Sequence, residues 1–174
     1  MIKILVTGPE SSGKSTLARG LATFFSGAYV PEFARGYLEK DPAYVAADLD
    51  VMLAGQLAGE RAALDLGDVE IMICDTGPIV LYVWSSVKYG QVSKAIAKAI
   101  AEIDYDLILL CYPDLPWADD PLREHPDVRD RLLIYERYLK LVHQSGITLA
   151  IISGEDREQT AIQAIRVLYP NCSK

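Results

Sequence analysis

Apolar residues along this chain follow two rhythms in alternation. Short unbroken apolar runs, such as "KILVTG", "IMIC" and "LILLC", stand apart from longer stretches in which apolar residues return every three or four positions. The short runs predict strands near 2–7, 28–31, 70–75, 106–111 and 147–152. The longer stretches predict helices near 14–26, 43–66, 78–88, 91–102, 127–145 and 156–168. The strand runs lack polar alternation, as expected when a sheet is covered on both faces. Strands separated by helices imply parallel pairing with right-handed crossovers. The expectation is a three-layer α/β/α domain on a five-stranded parallel sheet, one domain over residues 1–174.

One segment obeys neither rhythm. "CYPDLPWADDPLREHPD", residues 111 to 127, holds four prolines and no period. Proline fixes φ and removes a donor, so the segment is expected to be a loop with stiff pieces. Long loops in compact domains usually serve function, and this one follows the C-terminal end of a strand, where open α/β sheets bind ligands. Residues 114–126 are the candidate lid, expected to be mobile without ligand. His125 is expected to open the next helix with Pro126 at its first position. Val128, Leu132, Tyr135, Leu139 and Val142 would then form the stripe facing the core.

Composition narrows the class without changing this plan. The hydrophobic fraction is 51% and the charged fraction 24%, ordinary for a globular protein. No apolar stretch approaches the roughly 18 residues that cross a bilayer, and the opening residues hold no signal-peptide core, so no membrane partner and a cytoplasmic location are expected. The net charge of −7 argues against a nucleic-acid partner, which calls for a basic face. Cys74, Cys111 and Cys172 form no Cys-x-x-Cys pair, and His125 and His143 add no ligand spacing. Cys74 and Cys111 are expected to be reduced core thiols.

Chemistry enters at "VTGPESSGKSTLA", residues 6 to 18. Gly8, Gly13, Lys14 and Ser15 satisfy Gly-x-x-x-x-Gly-Lys-[Ser/Thr], the phosphate-binding loop. Glycine lets the backbone curl through positive φ, turning N–H groups inward at a helix N-terminus. A solvent-exposed turn with a chance lysine would yield this pattern in roughly one chain of this length in a hundred. A strand before it and a helix after it make accident rarer still. Gly8, Ser11, Ser12, Gly13, Lys14, Ser15 and Thr16 are therefore expected to hold ATP, with Lys14 on the β- and γ-phosphates and Ser15 on Mg²⁺.

Other residues could complete such a site. "IMICDTGP" ends a strand with Asp75, the second carboxylate signature, and assigns it to Mg²⁺ beside Ser15. "VPEFARGY" places Glu32 and Arg35 past the second strand. Glu32 could orient an acceptor hydroxyl and take its proton, and Arg35 could hold the acceptor. In the proline-rich segment Arg123 is the lid candidate and Arg129 a further nucleotide contact, whereas Arg131 is expected on a solvated helix face. Trp117, Asp119 and Asp120 suit a flat, ribose-bearing, cationic substrate. Trp84 and Tyr82 are expected to be core aromatics.

"GPESSGKSTLA", "PEFAR", "ICDTG" and "PWADDPLR" together resemble the ribosylnicotinamide kinase domain of bacterial NAD-salvage proteins, a nucleoside-kinase-like P-loop NTPase lineage. The resemblance runs from Lys3 to about Leu168. It implies transfer of the γ-phosphate of ATP to the 5′-hydroxyl of nicotinamide riboside. Lys14, Glu32, Asp75 and Arg123 would carry catalysis, and Glu32, Arg35, Trp117, Asp119 and Asp120 would carry substrate binding. Pro121 stands where family members often have glycine, which implies a stiffer lid. The adenylyltransferase and DNA-binding portions fused in some relatives have no counterpart in these residues. Two other readings remain open: a nucleoside or nucleotide kinase of different base preference, and a P-loop ATPase acting as a regulatory or binding module. The guanine-reading Asn-Lys-x-Asp motif is missing, which weighs against a GTPase switch.

Overall fold

The computed structural model describes residues 1–40, 42–67 and 69–172. Strands β1 (Ile2–Thr7), β2 (Ala28–Val30), β3 (Ile71–Asp75), β4 (Leu107–Cys111) and β5 (Thr148–Ile152) pair in the order β2-β3-β1-β4-β5. Every pairing is parallel. The helices are α1 (Lys14–Phe24), α2 (Phe33–Leu38), α3 (Asp48–Leu64), α4 (Pro78–Tyr89), α5 (Lys94–Ala101), α6 (Val128–Ser145) and α7 (Arg157–Leu168). No helix among the described residues is long and apolar enough to cross a membrane.

Successive strand residues point to opposite faces, and both faces are apolar here. Ile4, Val6, Ile73, Leu107 and Leu109 meet α1 and α7 on one face. Leu5, Met72, Cys74, Ile108 and Leu110 meet α3, α4 and α6 on the other. Truncating one of these isoleucines, leucines or Met72 to alanine should cost about 2–5 kcal/mol, because the packed sheet cannot collapse into the void. A further cluster around Leu49, Met52, Leu81 and Ile96 binds α2 through α5 together. The three-layer parallel fold read from the sequence is the one observed.

β1 lies between β3 and β4, and the crossovers depart in opposite directions on its two sides. That arrangement opens a crevice at the C-terminal ends of these strands, where doubly wound sheets bind ligands. The site is built there.

Several local expectations are corrected. The predicted helix over 43–66 begins only at Asp48, whose carboxylate accepts the Val45 N–H at 2.7 Å and the Tyr37 hydroxyl at 2.8 Å. α2 was not anticipated, because six residues carry too little period to read. α6 opens at Val128 rather than at His125 and Pro126: Asp127 is its N-cap and accepts the Arg129 N–H at 2.8 Å. Its buried face is Arg131, Tyr135, Tyr138 and Val142, while Val128 is exposed and Leu132 and Leu139 are half-buried. Arg131 is thus not on a solvated face. Its guanidinium donates to the Leu115 carbonyl at 3.3 Å and lies 5.7 Å from the Trp117 ring. Cys74, Cys111 and Cys172 are all free and buried, so Cys172 joins the other two.

Candidate active site

The loop between β1 and α1 curls through positive φ at Gly8 (143°), Ser11 (52°) and Gly13 (78°). Gly8 is required by crowding as well. A Cβ there would stand 2.6 Å from the Cys111 carbonyl oxygen. Gly13 is the left-handed N-cap of α1, a helix with no side-chain cap and no acidic residue in its first turn. No side chain of α1 therefore competes with an anion for the first helical N–H groups. Lys14 Nζ and Ser12 Oγ both donate to the Pro9 carbonyl at 2.7 Å.

The buried Arg157 anchors this loop. Its guanidinium donates to the carbonyls of Ser12 (3.2 Å), Ile152 (3.0 Å) and Tyr112 (3.1 Å), and to the Asp114 carboxylate. The phosphate loop is thereby tied to the ends of β4 and β5.

A cavity of about 630 Å³ extends from the loop, within the range of small-molecule sites. The loop residues from Gly8 to Thr16 line it together with Glu32, Arg35, Asp120 and Arg123, and Val80, Val83, Trp84, Val87, Ile134 and Tyr138 add a largely apolar lining. Glu32 is the N-cap of α2, yet its side chain makes no capping bond. Burial pushes its carboxyl up from the ordinary range; the nearby Lys14 opposes this and the Asp75 charge adds to it. A carboxylate so perturbed in a cleft is a candidate acid–base group.

Asp75 ends β3 and is 1% exposed. Its Oδ2 accepts the Tyr29 hydroxyl at 3.1 Å, and its Oδ1 has no hydrogen-bond partner among the described residues. A buried orphan oxygen is expensive unless a ligand satisfies it. This oxygen and the Ser15 hydroxyl at the cavity are hard donors that fit Mg²⁺, which usually takes few protein ligands and completes its shell with phosphates and water. The residues present fit the ion.

The proline-rich segment lies docked against the loop. Arg123 Nη1 donates to Ser11 Oγ at 2.9 Å, and Arg35 meets Asp120 at 2.9 Å. The Glu10 carboxylate accepts the N–H groups of Glu124 (3.0 Å) and His125 (2.8 Å). Glu124 in turn takes Lys88 Nζ at 2.5 Å and the Tyr44 hydroxyl at 3.0 Å. The expected mobility rested on how little apolar surface the segment buries. These polar contacts hold it against the loop in this structure.

Of the residues singled out from sequence, Gly8, Ser11, Ser12, Gly13, Lys14, Ser15, Thr16, Glu32, Arg35, Asp120 and Arg123 line one cavity. Asp75, Trp117, Asp119 and Arg129 do not. The Trp117 ring faces the guanidinium groups of Arg123 (5.8 Å) and Arg131 (5.7 Å), and its Nε1 donates to Asp119 at 2.8 Å. Its cation-binding face is thus turned to the protein's own arginines. Arg129 is exposed and pairs with Asp127 at 3.1 Å. Sequence reasoning missed Trp84, which lines the cavity and donates Nε1 to Tyr44 Oη at 2.9 Å. It also missed Glu10. An acid inside an anion-binding loop has to turn away from the anion, and that oddity was the available signal.

Residues 3–159 match the profile of a family described as an AAA domain. The chain is 22% identical over 170 residues to the trifunctional NAD biosynthesis/regulator protein NadR of Escherichia coli strain K12, covering 95% of this chain and 41% of that relative. It spans under half the length of the curated relatives it matches. A crystal structure of NadR in complex with NAD and AMP-PNP superposes with a TM-score of 0.80 at 24% identity, covering 95% of this chain and 49% of that one. Thymidylate kinase from Ehrlichia chaffeensis gives 0.63 at 17% identity, covering 96% and 98%. These likenesses establish a nucleoside-kinase-like P-loop fold.

Proposed function

This chain belongs to the AAA domain family, and on that premise we propose that it is an ATP-dependent kinase acting on a small nucleoside, with nicotinamide riboside the leading acceptor. One observation carries the proposal: a phosphate loop and a perturbed carboxylate, Glu32, share a single cavity of about 630 Å³. The relatives named for NAD biosynthesis, and a matching crystal structure of NadR in complex with NR, support that acceptor.

The loop amides and Lys14 would hold the β- and γ-phosphates of ATP. Glu32 would accept the proton of the acceptor's 5′-hydroxyl as its oxygen bonds to the γ-phosphorus. The bond from that phosphorus to the β,γ-bridging oxygen breaks, and its electron pair leaves on ADP. Bound Mg²⁺, held through Ser15 and Asp75, would neutralise phosphate charge. Arg35 and Asp120 would fix the acceptor's ribose end, and Arg123 would stabilise charge on the transferring group. The Val80–Val83–Trp84 wall would receive the base.

A panel of nucleosides with Mg²⁺ and ATP, read by product mass, tests the acceptor. Phosphorylated nicotinamide riboside is the expected product. Phosphorylation of ordinary nucleosides alone would keep the kinase and replace the acceptor.

A further inference from the structure

Asp75 sits at a place where the backbone has little freedom. The following residue, Thr76, adopts a left-handed φ of 66°, rare for a residue with a branched side chain. Both of its backbone groups are engaged: its N–H donates to the Val6 carbonyl at 2.9 Å, and its carbonyl accepts from the Gln56 amide at 3.3 Å. Gln56 is itself buried and holds the Phe33 N–H at 2.9 Å. With the main chain pinned, the remaining freedom of the Asp75 carboxylate is rotation about its own side-chain bonds.

Tyr29 removes that freedom. It pairs with Ile73 across the β2–β3 ladder, so Asp75, two residues further on, is its diagonal neighbour on the same face. An aromatic side chain reaches that distance. The phenol donates to Oδ2 at 3.1 Å and leaves Oδ1 buried without a partner.

We propose that Tyr29 is a positioning residue: its hydroxyl fixes one oxygen of Asp75 so that the other is presented to the divalent cation of the bound nucleotide. This rests on the reading of Asp75 as part of a nucleotide site. In Tyr29→Phe the ring and its packing remain and only the hydroxyl is lost. The carboxylate can then turn, and both oxygens lack a fixed partner.

The test is titration calorimetry of wild type and Tyr29→Phe with ATP, once with Mg²⁺ and once with excess EDTA, alongside a thermal melt. The expected result is binding of Mg²⁺·ATP weakened by about tenfold, the scale of a lost charge-assisted hydrogen bond. Binding of metal-free ATP and the melting temperature should stay nearly unchanged. A merely structural tyrosine would weaken both forms equally or lower the melting temperature, and either outcome overturns the proposal, as does an unaltered Mg²⁺·ATP affinity. A wild type that binds neither form contradicts the nucleotide site itself, and the proposal falls with it.

Discussion

Arg35 and Asp120, 85 residues apart in the chain, meet at 2.9 Å in the wall of the cavity. The same Asp120 oxygen lies 4.0 Å from Arg123. One carboxylate therefore sits between a residue of the short helix after β2 and the arginine of the proline-rich segment. The Leu122 N–H and Arg35 hold Asp120 below the ordinary carboxylate range, so it is charged throughout the neutral range.

Asp120→Asn should release both arginines together. A half-exposed ion pair is worth less than about 1 kcal/mol, so the fold should barely weaken. Steady-state kinetics should show KM for the acceptor rising more than KM for ATP. Equal changes in both would assign Asp120 to the fold rather than to the acceptor.

Lys14→Ala should leave the thermal midpoint almost unmoved, since Nζ donates within its own loop, to the Pro9 carbonyl. ATP affinity, read by calorimetry, should fall by tenfold or more, because a charge-assisted contact to the phosphates is lost. Near-normal binding would make the loop structural.

Glu32 gives a prediction with a sign. Its carboxyl is raised above about 4.5 in the folded protein, chiefly by burial. Folding therefore favours the protonated form, and stability falls as pH rises from that ordinary value through the raised one. Glu32→Gln should melt higher than wild type near neutral pH, with the gap closing below pH 4.5. Its turnover should fall by about 10²–10⁴-fold with ATP affinity little changed. In the wild type, the acid limb of the pH–rate profile should lie above the usual carboxylate range.

Arg123→Lys keeps the charge but loses the planar fork that reaches Ser11 Oγ. Turnover should drop by roughly a hundredfold. Nucleotide affinity should change little, as the loop amides and Lys14 are untouched. Unchanged turnover would remove Arg123 from the reaction.

The sheet, its helices and the phosphate loop were legible because each depends on local information: strand period, helix period and a glycine pattern. Glu32, Arg35 and Asp75 were legible from their places at strand ends. Arg131 and Trp117 were misread for a shared reason. The buried guanidinium of Arg131 stands over the Trp117 ring, and a contact between a loop and the following helix leaves no trace in either segment alone. Trp84 was read as core and is half that: it packs against the third apolar cluster and also lines the cavity. Glu10 and Gln56 escaped notice because their partners are backbone N–H and carbonyl groups, which every sequence offers everywhere.

Transfer between two bound substrates, rather than hydrolysis, is read by following the γ-phosphate itself. ATP carrying ¹⁸O on its γ-phosphate would be incubated with the wild-type protein, Mg²⁺ and nicotinamide riboside, and all products weighed by mass spectrometry. The expected result is one labelled nicotinamide mononucleotide for each ADP formed, with ADP formation slow when the acceptor is withheld. ADP accompanied only by labelled inorganic phosphate, at the same rate with or without any nucleoside, would contradict it.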